Sequence, residues 1–163
     1  MGAATDWKLG TSSTISWPSS AHGGNGNGGV AQIVKSTAGA VGYVDYADAK
    51  ASGLSFASVK NKAGNYVAPS TQSATEAADH VTVKPNLTFS AIWASGSGSY
   101  PITYQSWVLV YQSQSSSSTA KNLKSYVGYL LGDGQQLLPQ LGYAPLPSSL
   151  DQQAKSQLSK IGT

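Results

Sequence analysis

ITYQSWVLVYQSQSSSSTAKNLKSYVGYLL, residues 102–131, changes its apolar period part-way along. The first third, 102–111, is the most apolar strand-like run in the chain and centres on Trp107-Val108-Leu109-Val110. Uncharged runs rich in β-branched and aromatic residues suit a pleated, buried surface. The serines at 115–118 interrupt that run and offer a helix cap. From 120 to 131, Leu123, Tyr126, Val127 and Leu130 recur at the spacing that lines one helix face. Gly132-Asp133-Gly134 closes the segment. A buried strand leading into an amphipathic helix is the unit of a layered α/β fold, with a sheet at least partly parallel.

The alternation continues in both directions. Upstream, strands are expected at 13–17, at 40–46 and at 54–59, each half-apolar and bounded by Gly, Asn or Ser. A short helix fits 30–35, an Ala-rich turn or helix runs to Ala51, and Ser70 is placed to cap a helix reaching about Asp79. Residues 96–99 read as a flexible link before Pro101. Downstream, a helix is expected over 135–141 despite Pro139, with Gly142 at its end, and a final amphipathic helix over 150–161. No internal repeat is visible.

Composition narrows the function classes. The chain has 163 residues, 40% apolar and only 10% charged, against about 25% charged in ordinary globular domains. Ser, Thr, Asn and Gln take the place of surface charge, which suits a secreted or cell-surface protein. All ten basic residues are Lys, scattered from Lys8 to Lys160. Net charge is +3, but no basic stripe with interleaved aromatics forms, so no nucleic-acid partner is expected. Lacking Arg, an oxyanion site would have to use backbone N–H groups, hydroxyls and Lys rather than a bidentate guanidinium. Without Cys there is no thiol chemistry, and His22 and His80 are too few for a metal cluster. No apolar run reaches the ~18 residues needed to span a bilayer. Met1-Gly2-Ala3 leads straight into polar sequence, so no signal peptide is visible and the start reads as a truncation.

Three patterns carry possible chemistry. Gly24-Asn25-Gly26-Asn27-Gly28-Gly29 fits G-x-G-x-x-G ahead of a helix, with Asp45 in the next strand as a ribose-binding acid. A dinucleotide loop follows its strand at once, whereas 18–23 intervene here, so a glycine turn is the expectation and an NAD-linked oxidoreductase the lesser alternative. His22 or His80 with Asp79, Asp151 and any of many serines would suit a hydrolase, yet no G-x-S-x-G elbow is present. Trp93, Tyr100, Tyr104 and Trp107 could stack on a flat ligand, but packing beside a hinge fits the strand pattern better. No catalytic residue, metal ligand or cofactor is assigned.

Several segments together are more specific than any one pattern. Trp7-Lys8 with 13–18 (STISWP) resembles the "W…G.GSTV.WP" segment of ABC-transporter phosphate-binding proteins. Residues 24–31 (GNGNGGVA) resemble that family's "GKGNDGVA" loop, and 37–49 its "PGAIGYVEYAYA". Residues 59–70 are similar to "NADGKFVAPS", 99–102 to "SYPI", and 141–147 to "LGYAPLP". The matches keep family order over about residues 5–160.

The resemblance implies the C-terminal half of a two-lobed receptor of the type II periplasmic-binding-protein kind, an incomplete α/β fold with portions of both lobes. Residues 1–98 would be the C-terminal part of lobe two, and 99–163 the hinge and the return segment completing lobe one. Such a receptor is not an enzyme; it is extracytoplasmic, binds inorganic phosphate and delivers it to an ABC permease. The family's phosphate ligands, including its Arg and Asp, lie outside this chain, so no ligand-binding residue is carried over and the chain alone is not expected to bind. Each lobe would lack strands, leaving unpaired edges. These would be satisfied by the missing N-terminal half or, in the alternative reading of a shortened structural or interaction half-receptor without ligand activity, by a homodimer exchanging segments across 96–101.

Overall fold

Helix α1, Gly26–Ser36, starts inside the glycine loop rather than at Val30. Its first residue holds φ +63, a left-handed setting natural to Gly. The helix buries Ala31, and its Val30 and Val34 lie against the chain at Gly42. A Cβ there would stand 2.7 Å from Val34 Cγ2, so only Gly lets 40–44 ride on α1. Asp45 then leads into α2, Tyr46–Ala51, which buries Ala49 and ends at Gly53. These helices and the aromatic residues before them make up one compact unit, Met1–Leu54; the other is Ser55–Thr163. The computed structural model describes residues 7–12 and 14–163.

In the second unit, β1 (Val59–Lys60) and β2 (Tyr66–Val67) form an antiparallel hairpin, Val59 facing Val67 and Lys60 facing Tyr66. The turn closes through Asn61 N–H to Asn65 O at 2.8 Å. Helix α3, Thr71–Asp79, has a complete capping box: Ser73 N–H donates to Ser70 Oγ, and Ser73 Oγ accepts from Ser70 N–H, both at 3.0 Å. Such a box satisfies two otherwise orphaned amides, which is why Ser70 sets the helix start. Helix α4, Ser117–Leu130, is capped by Ser116, whose Oγ accepts from Thr119 N–H at 3.1 Å. Helix α5, Ser148–Gln157, follows Pro147 and tightens into a 3-10 turn at Leu158–Lys160. The small core joins Ala77, Ala91 and Ala94 with the partly buried Val81 and Phe89.

Several expected elements are corrected. The helix over 135–141 is instead two 3-10 turns, Asp133–Leu137 and Pro139–Leu141. Pro139 has no N–H to continue a helical ladder and its ring would collide with the preceding turn. Gly142 closes the second turn at φ +81. The final helix begins at Ser148 rather than 150 and gives way to its 3-10 turn before Ile161. The strands expected at 40–46, 54–59 and 102–111 are absent as such: only Val59 pairs, and Tyr46 belongs to α2. The strand expected at 13–17 is likewise missing over 14–17, while Ser13 lies outside the described residues.

The physical reason is shared. A strand is stable through the N–H and C=O groups of its neighbours, and, Val59 apart, no ladder partner stands beside these runs among the described residues. Among the described residues a single parallel bridge, Ser113 to Gly162, is the trace of parallel pairing, with Gly162 N–H to Gln112 O and Gln114 N–H to Gly162 O both 2.7 Å. The outcome is a set of helices with a small sheet, compatible with α/β in broad class.

Candidate functional site

In the first unit the glycine loop works as a joint. Gly24 packs so tightly on the start of α1 that a Cβ would meet Gly29 C and Val30 N at 2.4 Å. Asn27 reaches across to the start of α2: its Nδ2 donates to Asp45 Oδ2 at 2.8 Å and Asp48 Oδ2 at 3.0 Å. Its Oδ1 accepts from Asp45 N–H at 3.2 Å. Asp45, the acid the dinucleotide pattern would need for a ribose, is therefore spent on holding α2 to α1. Trp17 packs edge-on to Trp7 at 5.9 Å and stacks on Tyr43 at 6.2 Å, so three separated segments meet in one aromatic cluster. Sequence reasoning missed this cluster, although the family-like "WP" and "GYV" segments supply Trp17 and Tyr43.

In the second unit, residues 96–99, expected as a flexible link, are clasped from two sides. Asn61, almost fully buried, donates through Nδ2 to Gly96 O at 3.2 Å, Ser97 O at 2.8 Å and Ser99 O at 3.2 Å. Asn65 Nδ2 adds a bond to Ser97 O at 3.0 Å. From the other side, Glu76 Oε1 on α3 accepts from Gly98 N–H at 2.6 Å. The site at Gly96 has no room for a side chain: a Cβ would fall 2.3 Å from Ser99 Oγ and 2.7 Å from His80 Nδ1. Tyr100 N–H donates to Ser73 O at 3.1 Å, tying the following residue to α3 as well. Neither Asn61 nor Glu76 stood out in the sequence, because a lone Asn in a turn and a lone Glu on a helix carry no spacing signal.

The hydrolase pattern dissolves. His22 is an exposed loop residue in the first unit. His80 ends α3, its Nδ1 2.9 Å from Glu76 O. Asp79 accepts from Ser149 Oγ at 3.3 Å, and Asp151 pairs with Lys155 at 2.6 Å along α5. No described group of three or more His, Asp or Glu is placed to hold a metal.

Two members of the aromatic set, Trp93 and Trp107, lie on separate runs. Residues 87–93 and 101–107 run past each other in opposite directions, joined largely by side chains. Trp93 N–H donates to Pro101 O at 3.0 Å, Gln105 Nε2 to Phe89 O at 2.8 Å, and Trp107 Nε1 to Leu87 O at 3.3 Å. Trp107 meets Phe89 edge-on at 6.2 Å. Gln105 thus imitates a backbone partner that a ladder would otherwise supply. Beyond it the chain is bare: Val108 and Tyr111 are exposed and Leu109 is 91% exposed.

Burial raises the Tyr100 phenol above the ordinary value of about 10. The folded state therefore holds this proton more tightly than the unfolded chain. Stability is unaffected below the ordinary value and falls as pH climbs through it toward the folded one. Denaturation midpoints compared at about pH 9 and pH 11 should fall for the parent and fall less for Tyr100→Phe; parallel declines would show that Tyr100 is not responsible.

Two clefts remain. One of about 470 Å³ lies along α3 and is lined by Thr75, Glu76, Asp79, Pro139, Pro145 and Pro147 among others, with no cation to attract an oxyanion. Thr75 Oγ1 donates to Pro145 O at 2.8 Å within it, so it is the seam where α3 receives the 141–147 segment. The other, about 380 Å³, carries Lys121 and Lys124 beside Ser117, Ser125 and the chain end.

Each segment that carried the resemblance is therefore a joint, and aligned relatives show the same partial coverage. The phosphate-binding protein PstS of Haemophilus influenzae is 33% identical over 158 residues, covering 94% of this chain and 47% of that protein. This chain resembles half of a phosphate-binding protein. PstS of Pasteurella multocida is 32% identical over 158 residues, with 94% of this chain and 46% of the relative covered. PstS of Methanocaldococcus jannaschii is 32% identical over 162 residues, covering 88% and 41%. The chain thus spans about half the length of the curated relatives it matches, consistent with their C-terminal half. No family model matches it. No helix among the described residues is long and apolar enough to cross a membrane.

Proposed function

We propose that this chain is the C-terminal portion of an extracytoplasmic phosphate receptor serving an ABC importer, a binding protein without covalent chemistry. It would supply the later part of one lobe, up to about residue 98, and from 99 a hinge and the segment returning to the other. The complete receptor would have the type II periplasmic-binding-protein fold and close on one phosphate between its lobes. The observation that carries the reading is the pairing of nearly full coverage of this chain with only half coverage of each PstS relative. The exposed apolar residues Val108, Leu109 and Tyr111 add support, because they have the character of a strand lacking its neighbours. Those neighbours would come from the N-terminal half. The clasp on 96–99 speaks against exchange of segments between two copies at that point, since Asn61, Asn65 and Glu76 would all have to let go.

Phosphate itself would be held by the absent half. Titration calorimetry with inorganic phosphate should show no saturable heat for this chain alone, and saturable heat once a separately produced N-terminal half is added. Tight binding by this chain unaided would overturn the placement of the site; silence from the reconstituted pair would overturn the receptor reading.

A further inference from the structure

Asn86-Leu87-Thr88 is the chain's single Asn-x-Ser/Thr triplet, and the fold presents it in a form suited to chemistry at the amide. It occupies a tight turn in which Leu87 N–H donates to Lys84 O at 2.8 Å and Lys84 N–H to Thr88 O at 3.0 Å. Pro85 fixes one torsion of that turn, and Leu87 completes it at φ +65. Asn86 is exposed at the tip. Thr88 donates to Asn86 Oδ1 twice, from Oγ1 at 2.7 Å and from its backbone N–H at 3.2 Å. Two donors on Oδ1 draw electron density onto that oxygen, which makes the Nδ2 protons more acidic, while Nδ2 itself bonds to none of the described residues.

We propose that Asn86 is an acceptor for N-linked oligosaccharide. The donor class is a lipid-pyrophosphate-linked oligosaccharide, used by a membrane oligosaccharyltransferase on the extracytoplasmic side. The Asn86 Nδ2–C1 glycosidic bond forms as the C1–O bond to the pyrophosphate breaks; the lipid pyrophosphate departs, and Nδ2 gives up one proton to the transferase. Thr88 acts as a positioning residue, its hydroxyl holding Oδ1 so that Nδ2 faces the donor. The inference rests on the extracytoplasmic placement argued above.

The test directs this chain, behind a cleavable secretion leader, through a secretory pathway that attaches N-glycans. The secreted wild-type protein should carry one glycan on the peptide containing Asn86, released by peptide N-glycosidase with conversion of that residue to aspartate. Asn86→Gln and Thr88→Ala should abolish it. Thr88→Ser, which keeps the hydroxyl, should retain it and also controls for folding, read by tryptophan fluorescence. Secreted wild-type protein without the glycan, or a glycan that survives both Asn86→Gln and Thr88→Ala, overturns the proposal. Location is tested separately by fractionating the source cells: a cytosolic protein would sink the receptor reading and with it the placement the acceptor needs, whereas an extracytoplasmic protein that leaves Asn86 unmodified in the secretory test would sink the acceptor proposal alone.

Discussion

Asn61→Ala is expected to lower the unfolding free energy by about 3 kcal/mol, on the scale of stranding buried polar groups. The Asn61 side chain is 3% exposed and serves three carbonyls while its Oδ1 accepts from Asn65 N–H at 3.0 Å. Truncation removes all of these bonds at once, and the carbonyls of Gly96 and Ser99 sit where solvent does not easily replace the lost donor. The loss should also be local. Limited proteolysis ought to cut the 96–101 region faster in the variant, before global unfolding. Asn61→Asp should be no better than alanine, because it would set a carboxylate against three carbonyl oxygens. An unchanged urea midpoint together with an unchanged cleavage rate would show that the clasp contributes nothing.

Gly24→Ala should cost a comparable amount, about 3 kcal/mol by the scale of overpacking. The obstacle at 2.4 Å is the backbone of Gly29 and Val30, which has no rotamer to escape into. Gly28 is the informative contrast. It lies within α1 with nothing within 4 Å of its would-be Cβ, so Gly28→Ala should stabilise by up to ~1 kcal/mol through helix propensity. Opposite signs four residues apart mark a packing joint. A loop built to let a pyrophosphate approach its backbone would depend on the open glycine at 28 instead. Equal effects at the two positions, read from thermal denaturation, would refute the joint.

Much of this was legible in the residues. Ser70 before an Ala-rich helix, Ser116 before the 123–130 stripe and Gly142 after Leu141 each announce themselves, because caps are local chemistry. The strands were less legible. Residues 40–46 and 102–111 have strand character, yet whether such a run becomes a strand depends on what lies beside it. Pairing is long-range, and this chain places no ladder next to them among the described residues. Gln105 and Trp107, whose side chains bond to Phe89 O and Leu87 O, show what the chain does in the absence of one. The clasp was illegible for another reason: Asn61 and Gly96 are far apart in sequence, and nothing in either announces the other. The family-like segments proved to be joints, so they spoke for ancestry and shape rather than for a ligand.

Trp107-Val108-Leu109-Val110-Tyr111 carries no charge, no proline and no glycine, and its outer face is open to water. Such a window is a template for cross-β stacking as readily as for docking. On the proposed receptor reading its fate in a cell would be a race: covering by the neighbour expected from the N-terminal half would be a unimolecular or low-order event, whereas self-association quickens with every added copy. Yield of usable protein should therefore depend on how fast the chain is made relative to what covers it, and slow synthesis favours the folded product.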